Sequence, residues 1–454
     1  MHDPKGGIMA RQQEFMKTRP VFPLLLSMGV PIMLSMLMQS LYNIIDSIWV
    51  TKLGTDALTA VSLAFPLQNA ILSVGVGMGI GISALISLQL GAGDREEASH
   101  TANLGLALVC VHCLVFFVLG IFLTRPFLAM FTDDPHILQW ACDYTYVIMC
   151  CAFGQLIQIG LEKIFQAAGK MAITMCLMAS GCIINIILDP ILIFGWFGMP
   201  AMGVRGAAIA TVIGQVTAML LYMLVAVKGN IGITLHPRYI KPDRRLIKRI
   251  YSVSLPSTLM MAMPSVLTGA LNGILAGLNS IYVAVFGLYF KLQTFIYLPA
   301  NGIIQGMRPI IGYNFGARET KRVHQTIRYS IGVVGVIMVL GTLLAEGFPN
   351  AILQLFDADE QLMQASIPAL RIIALGFIPS AISIVTAGTF EALGRGGNSV
   401  IISLLRQLII VIPVGWVLSR FWGAAGIWVV FPAAVVIALV FSLARLKTVD
   451  RRTA

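Results

Sequence analysis

Charge is what this sequence lacks. Asp, Glu, Lys and Arg supply 11% of its 454 residues, where soluble domains carry about a quarter. Hydrophobic residues make up 57%, and the mean hydropathy is +0.86. So few charges cannot give a soluble fold of this length a polar surface, which leaves lipid as its solvent. Ten-residue segments alternating apolar and polar are missing too, which excludes an outer-membrane barrel. No Walker A sequence occurs, and Gly75, Gly77, Gly79 and Gly81 are neither spaced as G-x-G-x-x-G nor preceded by a strand. ATP hydrolysis by that route and dinucleotide binding are therefore set aside. The six histidines (His2, His100, His112, His136, His236, His324) are scattered, and the seven cysteines all fall in the N-terminal half. Cys110, His112 and Cys113 stand at i, i+2 and i+3, a spacing that does not converge on an ion on a helix. A membrane-embedded enzyme, one rival reading, thus lacks the clustered His, Cys or acids it needs. No cofactor and no resident metal is expected.

What remains is twelve long apolar stretches, at about 22–50, 57–90, 101–123, 137–160, 171–194, 204–227, 250–275, 281–311, 328–348, 362–386, 398–419 and 424–444. Runs of about 20 apolar residues read as membrane-spanning helices, so the fold class is an all-α membrane protein. The net charge of +11 is explained by topology and not by nucleic acid. With a cytoplasmic N-terminus, about 23 basic residues fall in inside loops and about 4 outside. The inside set includes Lys5, Arg11, Lys17 and Arg19, Arg238 to Arg249 in the central loop, Arg318 to Arg328, and Arg445, Lys447, Arg451 and Arg452. The outside set is Lys52, Arg125, Arg205 and Arg420. Both termini are expected in the cytoplasm. Residues 1–19 hold no apolar h-region or A-x-A site, so no cleaved signal is expected and the first helix is read as a retained span.

Laid over itself in one constant register, the chain repeats. Pro31 meets Pro256, Phe65 and Gln68 meet Phe290 and Gln293, and Gly77 and Gly81 meet Gly302 and Gly306. Phe165-x-Ala167-x-Gly169 meets Phe390-x-Ala392-x-Gly394. Each half then carries six helices in the same orientation, a parallel repeat of the kind found in secondary transporters. The expected organisation is a cytoplasmic segment 1–21, an N-lobe 22–227, a basic linker 228–249, a C-lobe 250–445 and a tail 446–454. In the second span, Gly75, Gly77, Gly79 and Gly81 form two overlapping small-xxx-small pairs suited to close helix packing in lipid.

An ionisable side chain at bilayer depth costs several kcal/mol and points to function. Asp46 shares a helix face with Gln39, Tyr42 and Asn43. Asp189 shares one with Asn185, and Pro190 follows it, which predicts a bend. Burial of a carboxylate without a basic partner disfavours its charged form, which makes both acids candidate proton carriers. Lys291 beside Gln293 in the eighth span and Arg371 in the tenth are candidate cleft residues. Glu162 and Lys163, at the inner end of the fourth span, are expected to snorkel to the surface, and Arg308, Glu346 and Glu391 to be interfacial.

Pro31 to Gly54 (PIMLSMLMQSLYNIIDSIWVTKLG), Asn185 to Gly195 (NIILDPILIFG) and Pro299 to Ala317 (PANGIIQGMRPIIGYNFGA) resemble the MATE family of multidrug and toxic compound extrusion proteins, in its bacterial MepA-like branch. The resemblance runs over residues 20–445. It implies two six-helix bundles and export of bulky, often cationic aromatic compounds in exchange for H+ or Na+, across the inner membrane and by a single chain. It places ion coupling at Asp46, Asn185 and Asp189, with Asn43 beside them, a bend at Pro31, and Gln39, Tyr42, Phe65 and Gln68 in the cleft. The seventh and tenth spans, where some sodium-coupled members carry acids, contain none here, which favours H+. An N-lobe Na+ site at Asp46, Asn185 and Asp189 is the alternative. Lys291 and Arg371 suit a second rival, a lipid or lipid-linked precursor flippase of the same architecture.

Overall fold

The structure is a computed structural model that describes residues 15–228, 231–354, 356 and 359–450. Lys5, Arg11, Arg451 and Arg452 lie outside the described residues, as does most of the expected N-terminal segment.

Every element among the described residues is helical. Span 1 is Val21–Thr51, span 2 Thr55–Gly91 and span 3 Arg95–Leu128. Span 4 is broken into Pro135–Cys150 and Ala152–Ala167, bent by 44°. Span 5 is Met171–Phe194, span 6 Gly203–Lys228, span 7 Arg244–Ala276, span 8 Ser280–Gly316 and span 9 Thr320–Gly347. Span 10 is broken into Glu360–Ala374 and Phe377–Ala392, bent by 52°. The last helical run, Gly396–Lys447, is 52 residues long. At 1.5 Å per residue that exceeds twice the ~30 Å hydrocarbon core. Gly423, at φ 58° and ψ −141°, divides it into spans 11 and 12. Counted this way, the described residues hold twelve spans. A π-helical turn, Leu405–Ile409, interrupts span 11.

The repeat is visible in the backbone as well as in the residue types. Asp134 caps span 4 by accepting from the amides of His136 and Ile137, and Asp359 caps span 10 by accepting from Leu362. The register that lays Pro31 on Pro256 also lays Asp134 on Asp359, and the break at Cys151 on the break at Gly376. Span 2 ends with Asp94 N–H bonding Gln89 O (2.9 Å), and span 8 ends with Glu319 N–H bonding Asn314 O (2.8 Å). Such a turn needs one residue in the left-handed region. Gly93 supplies it in the first half (φ 82°), and a non-glycine residue, Arg318 (φ 59°), supplies it in the second.

The chain forms two compact units. One contains Leu34–Thr258; the other contains Met16–Met33 and the chain from Leu259 onward. The division falls inside spans 1 and 7, shortly after Pro31 and Pro256. In the first unit the odd-numbered glycines of span 2 face two ways. Gly75 and Gly79 seat Ile159 and Lys163 of span 4, while Gly77 and Gly81 seat Thr258 and Ser254 of span 7. The two small-xxx-small pairs thus serve two separate helix contacts.

A buried acidic pair in the first unit

The first unit brings the candidate acids together. Spans 5 and 6 approach at backbone distance. A Cβ on Gly181 would lie 2.8 Å from Gly214 O, and one on Gly214 would lie 3.1 Å from Asn185 Cβ. This approach lets Asn185 Nδ2 donate across the contact to Thr211 Oγ1 at 3.4 Å and along its own helix to Asp189 Oδ1 at 3.2 Å. Asn185 is 3% exposed and Asp189 0%, because four residues apart on a helix they share a face, here the one turned to span 6. Span 1 presents Asp46, whose carboxyl lies within hydrogen-bonding reach of the Asp189 carboxyl.

Donors to this group are scarce. Asp46 Oδ1, Asp189 Oδ2 and Asn185 Oδ1 are all buried and receive no N–H or O–H from another described residue. Buried acceptors without donors are costly, by about 1–3 kcal/mol each and more when charged. A proton on either acid turns the facing carboxyls into a donor and an acceptor. A small monovalent cation could instead draw on all three oxygens. Among the described residues no cluster of three His, Cys, Asp or Glu could hold a transition metal.

The other candidates distribute unevenly. Tyr42 is half-buried and lies close to both acids and to Cys182. Gln68 donates to the hydroxyl of Tyr144 at 2.9 Å. Tyr144 is 2% exposed and close to Asp46, Tyr42 and Asp189. Gln39 is half-buried, whereas Asn43 and Phe65 are exposed, and Asn43 does not join the hydrogen-bonded group. Pro31 and Pro190 each lie inside an unbroken helix assignment.

Sequence reasoning missed Tyr144 and Thr211. A hydroxyl in an apolar run carries little signal by itself, because it can bond its own helix. Reasoning also misplaced two charged groups. Glu162 and Lys163 do not snorkel: they are 9% and 6% exposed. The second half of span 4 runs on to Ala167, which carries both inward against span 2. There Lys163 Nζ lies 3.0 Å from Glu162 Oε1 and 3.0 Å from Gln166 Oε1, and Gln166 Nε2 donates back to Glu162 at 2.8 Å. Glu391 is likewise buried, at 2%, where it pairs with Arg308 instead of lying at the interface.

The second unit holds the remaining candidates. Lys291 is exposed, with its ammonium 5.9 Å from the ring centre of Phe356, and Gln293 is half-buried. Arg371 is also exposed and has a carboxylate partner, Glu346, at 3.8 Å.

This architecture and acidic pair define a multi-span membrane protein built from a duplicated six-helix unit. The chain belongs to the MatE family, whose profile matches residues 31–191 and again 256–417. The two matches begin at Pro31 and Pro256, in the same register as the internal repeat. Multidrug export protein MepA of Staphylococcus haemolyticus is 27% identical, over 95% of this chain and 96% of its own length. MepA of Staphylococcus aureus is 26% identical over 97% of each. Among solved structures, an outward-facing multidrug resistance MATE transporter superposes with a TM-score of 0.89 at 24% identity, covering 99% of this chain and all of that one. A MOP superfamily transporter from Pyrococcus furiosus, described as having a binding pocket of reversed polarity, gives 0.89 at 24% identity over 96% and 98%.

Proposed function

We propose that this protein is a secondary active multidrug exporter of the bacterial inner membrane. It expels bulky, often cationic aromatic compounds in exchange for H+, with Na+ as the alternative coupling ion. Both termini lie in the cytoplasm, a single chain suffices, and no cofactor is required. The observation that carries this reading is the set of three buried oxygens without donors at Asp46, Asn185 and Asp189. A group of acceptors at bilayer depth that calls for one positive charge is what an ion-coupled carrier needs. The near-full-length likeness to multidrug export protein MepA supports a drug substrate.

A proton reaching Asp46 and Asp189 from outside ties span 1 to span 5 through the shared hydrogen bond. Span 1 shifts, and drug leaves. When the proton departs to the cytoplasm, the two carboxylates repel each other and the protein takes up new drug. Only a difference in proton and drug affinity between two states can drive this cycle. One pH unit supplies about 1.4 kcal/mol per proton, a tenfold concentration ratio. The halves 22–227 and 250–445 are the bodies that alternate.

The test is efflux of a fluorescent cation such as ethidium from proteoliposomes, with pH and Na+ gradients imposed separately. Export driven by the pH gradient alone, and lost in Asp46→Asn, is the expected result. Retained pH-driven export in that variant would overturn the mechanism, and a requirement for Na+ would replace the ion. The flippase reading is favoured by one observation, Lys291, which has no carboxylate partner among the described residues. Arg371 gives it no support, since Glu346 offsets its charge. Movement of an anionic lipid analogue, lost in Lys291→Gln, would establish that alternative.

A further inference from the structure

The basic stretch between the halves is more than a tether. Residues 231–241 fold back onto the first turns of span 3. Ser99 Oγ accepts from Thr234 N at 3.0 Å, Asn103 Nδ2 donates to Thr234 O at 2.7 Å, and Asn103 Oδ1 accepts from His236 N at 2.9 Å. His100 Nε2 donates to Lys241 O at 2.9 Å. Ser99 and Asn103 are 4% and 6% exposed, and Ile231 and Ile233 are buried as well. A connector that only spans a gap gains nothing from such order, which costs about 1–2 kcal/mol of backbone entropy per residue.

The folded-back chain encloses space. A cavity of about 370 Å³ lies between it and the start of span 3, lined by Arg95, Glu96, Ser99, Thr234, Arg238 and Tyr239. Small-ligand sites run from about 300 to 1,000 Å³. Two guanidiniums and one carboxylate therefore share one cavity, and none of the three is in an ion pair with another described residue. Arg238 Nη2 donates to the Tyr239 hydroxyl at 2.8 Å, and its Cζ lies 4.8 Å from the centre of that ring. The contact holds the fork of the guanidinium in place, and such a fork matches two oxygens of a phosphate. Asp94 is engaged elsewhere, since it caps span 3 by accepting from Glu97 N. The arrangement is not inherited from the repeat: the second half has Thr320 and Lys321 where the first has Arg95 and Glu96.

The surroundings are those of a headgroup layer. Ile240, 46% exposed, stands between Tyr239 and Lys241, and Val227, 82% exposed, precedes Lys228. Apolar side chains left open among basic ones at the end of a span mark the boundary between hydrocarbon and water. The basic residues of the linker put that boundary on the cytoplasmic side. The charges of the cavity then select the headgroup. Arg95 and Arg238 match a phosphodiester, and Glu96 matches a primary ammonium next to it. Phosphatidylglycerol or free phosphate would leave Glu96 facing an anion. Phosphatidylcholine has no N–H to donate to Glu96.

We propose that this cavity seats the phosphoethanolamine headgroup of an aminophospholipid of the cytoplasmic leaflet, with the phosphate on Arg95 and Arg238 and the ammonium on Glu96. The bound lipid ties the linker to span 3. The site stands whichever compound or ion the protein moves.

The test is native mass spectrometry of the full-length protein in detergent, titrated with phosphatidylethanolamine, phosphatidylglycerol or phosphatidylcholine of identical acyl chains. Wild type should bind its first phosphatidylethanolamine roughly tenfold more tightly than either other lipid, the effect of one charge-assisted hydrogen bond. Equal affinities for the three would overturn the proposal. Arg95→Gln with Arg238→Gln should weaken phosphatidylethanolamine binding by at least roughly tenfold. Lys248→Gln with Arg249→Gln removes the same charge at two exposed positions outside the cavity and should bind as wild type. An equal loss in that variant would show a diffuse basic surface and overturn the site. Glu96 is exposed, so Glu96→Gln leaves the fold intact and keeps the test decisive if the double arginine variant is unstable. It should cancel the preference for phosphatidylethanolamine over phosphatidylglycerol, and a preference retained there would overturn the assignment. Inorganic phosphate that raises the melting temperature of delipidated wild type, but not of the double arginine variant, while phosphatidylethanolamine does not, would give the cavity to a soluble anion and overturn the lipid.

Discussion

Asp46, Asn185 and Asp189 were legible in the sequence because an acid in an apolar run is costly, and cost implies a reason. Their grouping was only half legible. Asn185 and Asp189 follow from helix spacing, but the approach of Asp46 to Asp189 is a tertiary fact that no local pattern encodes. The same limit explains Thr211 and Tyr144. It also explains Asn43, which shares a helical face with Asp46 by spacing but is exposed, since residues i and i+3 diverge by about 60° around a helix. Thr211 lends itself to a measurement. Its hydroxyl accepts from Asn185 Nδ2, so Thr211→Val removes one of the two partners that orient the amide. At about 1 kcal/mol per hydrogen bond, the half-saturating concentration of the coupling ion should rise roughly fivefold. Initial efflux rates at graded proton or Na+ concentration would read that shift, and an unchanged midpoint would remove Thr211 from the site.

At the scale of elements, helices were easier to foresee than their breaks. Length and apolarity mark a span, but the 44° bend of span 4 falls at Cys151 with no proline near it, whereas the 52° bend of span 10 falls where Pro379 cannot donate to the carbonyl of Leu375. Span 4 shows what the bend achieves: its second half carries Glu162, Lys163 and Gln166 into the unit's interior. Breaking a buried ion pair from one side costs about 3–5 kcal/mol, whereas replacing both partners by apolar groups of similar volume can be neutral. Glu162→Ala should therefore lower the detergent melting temperature sharply, and Glu162→Leu with Lys163→Met should restore much of it. Equal melting temperatures for the two variants would mean the pair is not the stabilising contact. Spans 5 and 6 make a parallel case. Gly214→Leu would thrust a side chain at Gly181 O, 2.7 Å from the position of its Cβ. Overpacking of this kind costs about 1–3 kcal/mol. A lowered melting temperature together with loss of ion coupling is expected, since the same contact positions Asn185.

For the molecule as a whole, the repeat was the most informative feature of the sequence, and the family profile matches it in the same two places. The repeat shows where the halves begin, but not that each half surrenders the start of its first helix to the other. That exchange depends on backbone approach at glycines, and a glycine in a sequence announces close packing without naming its partner. It leads to a prediction for a severed chain. Cut at residues 229–230, the gene would yield a first half whose Gly77 and Gly81 face no span 7, and a second half whose Gly302 and Gly306 face no span 1. Arg322 and Asn314, which hold the backbone at Met16, would lose their partner as well. Each half expressed alone should then be short-lived in the membrane. Expressed together, the halves retain every contact just described, because the linker's hydrogen bonds to Ser99 and Asn103 begin at Thr234, beyond the cut. Co-expression should therefore restore both protein levels and dye export, measured by immunoblot and whole-cell ethidium efflux. Stable accumulation of either half alone would show that the exchanged helix starts contribute little to folding.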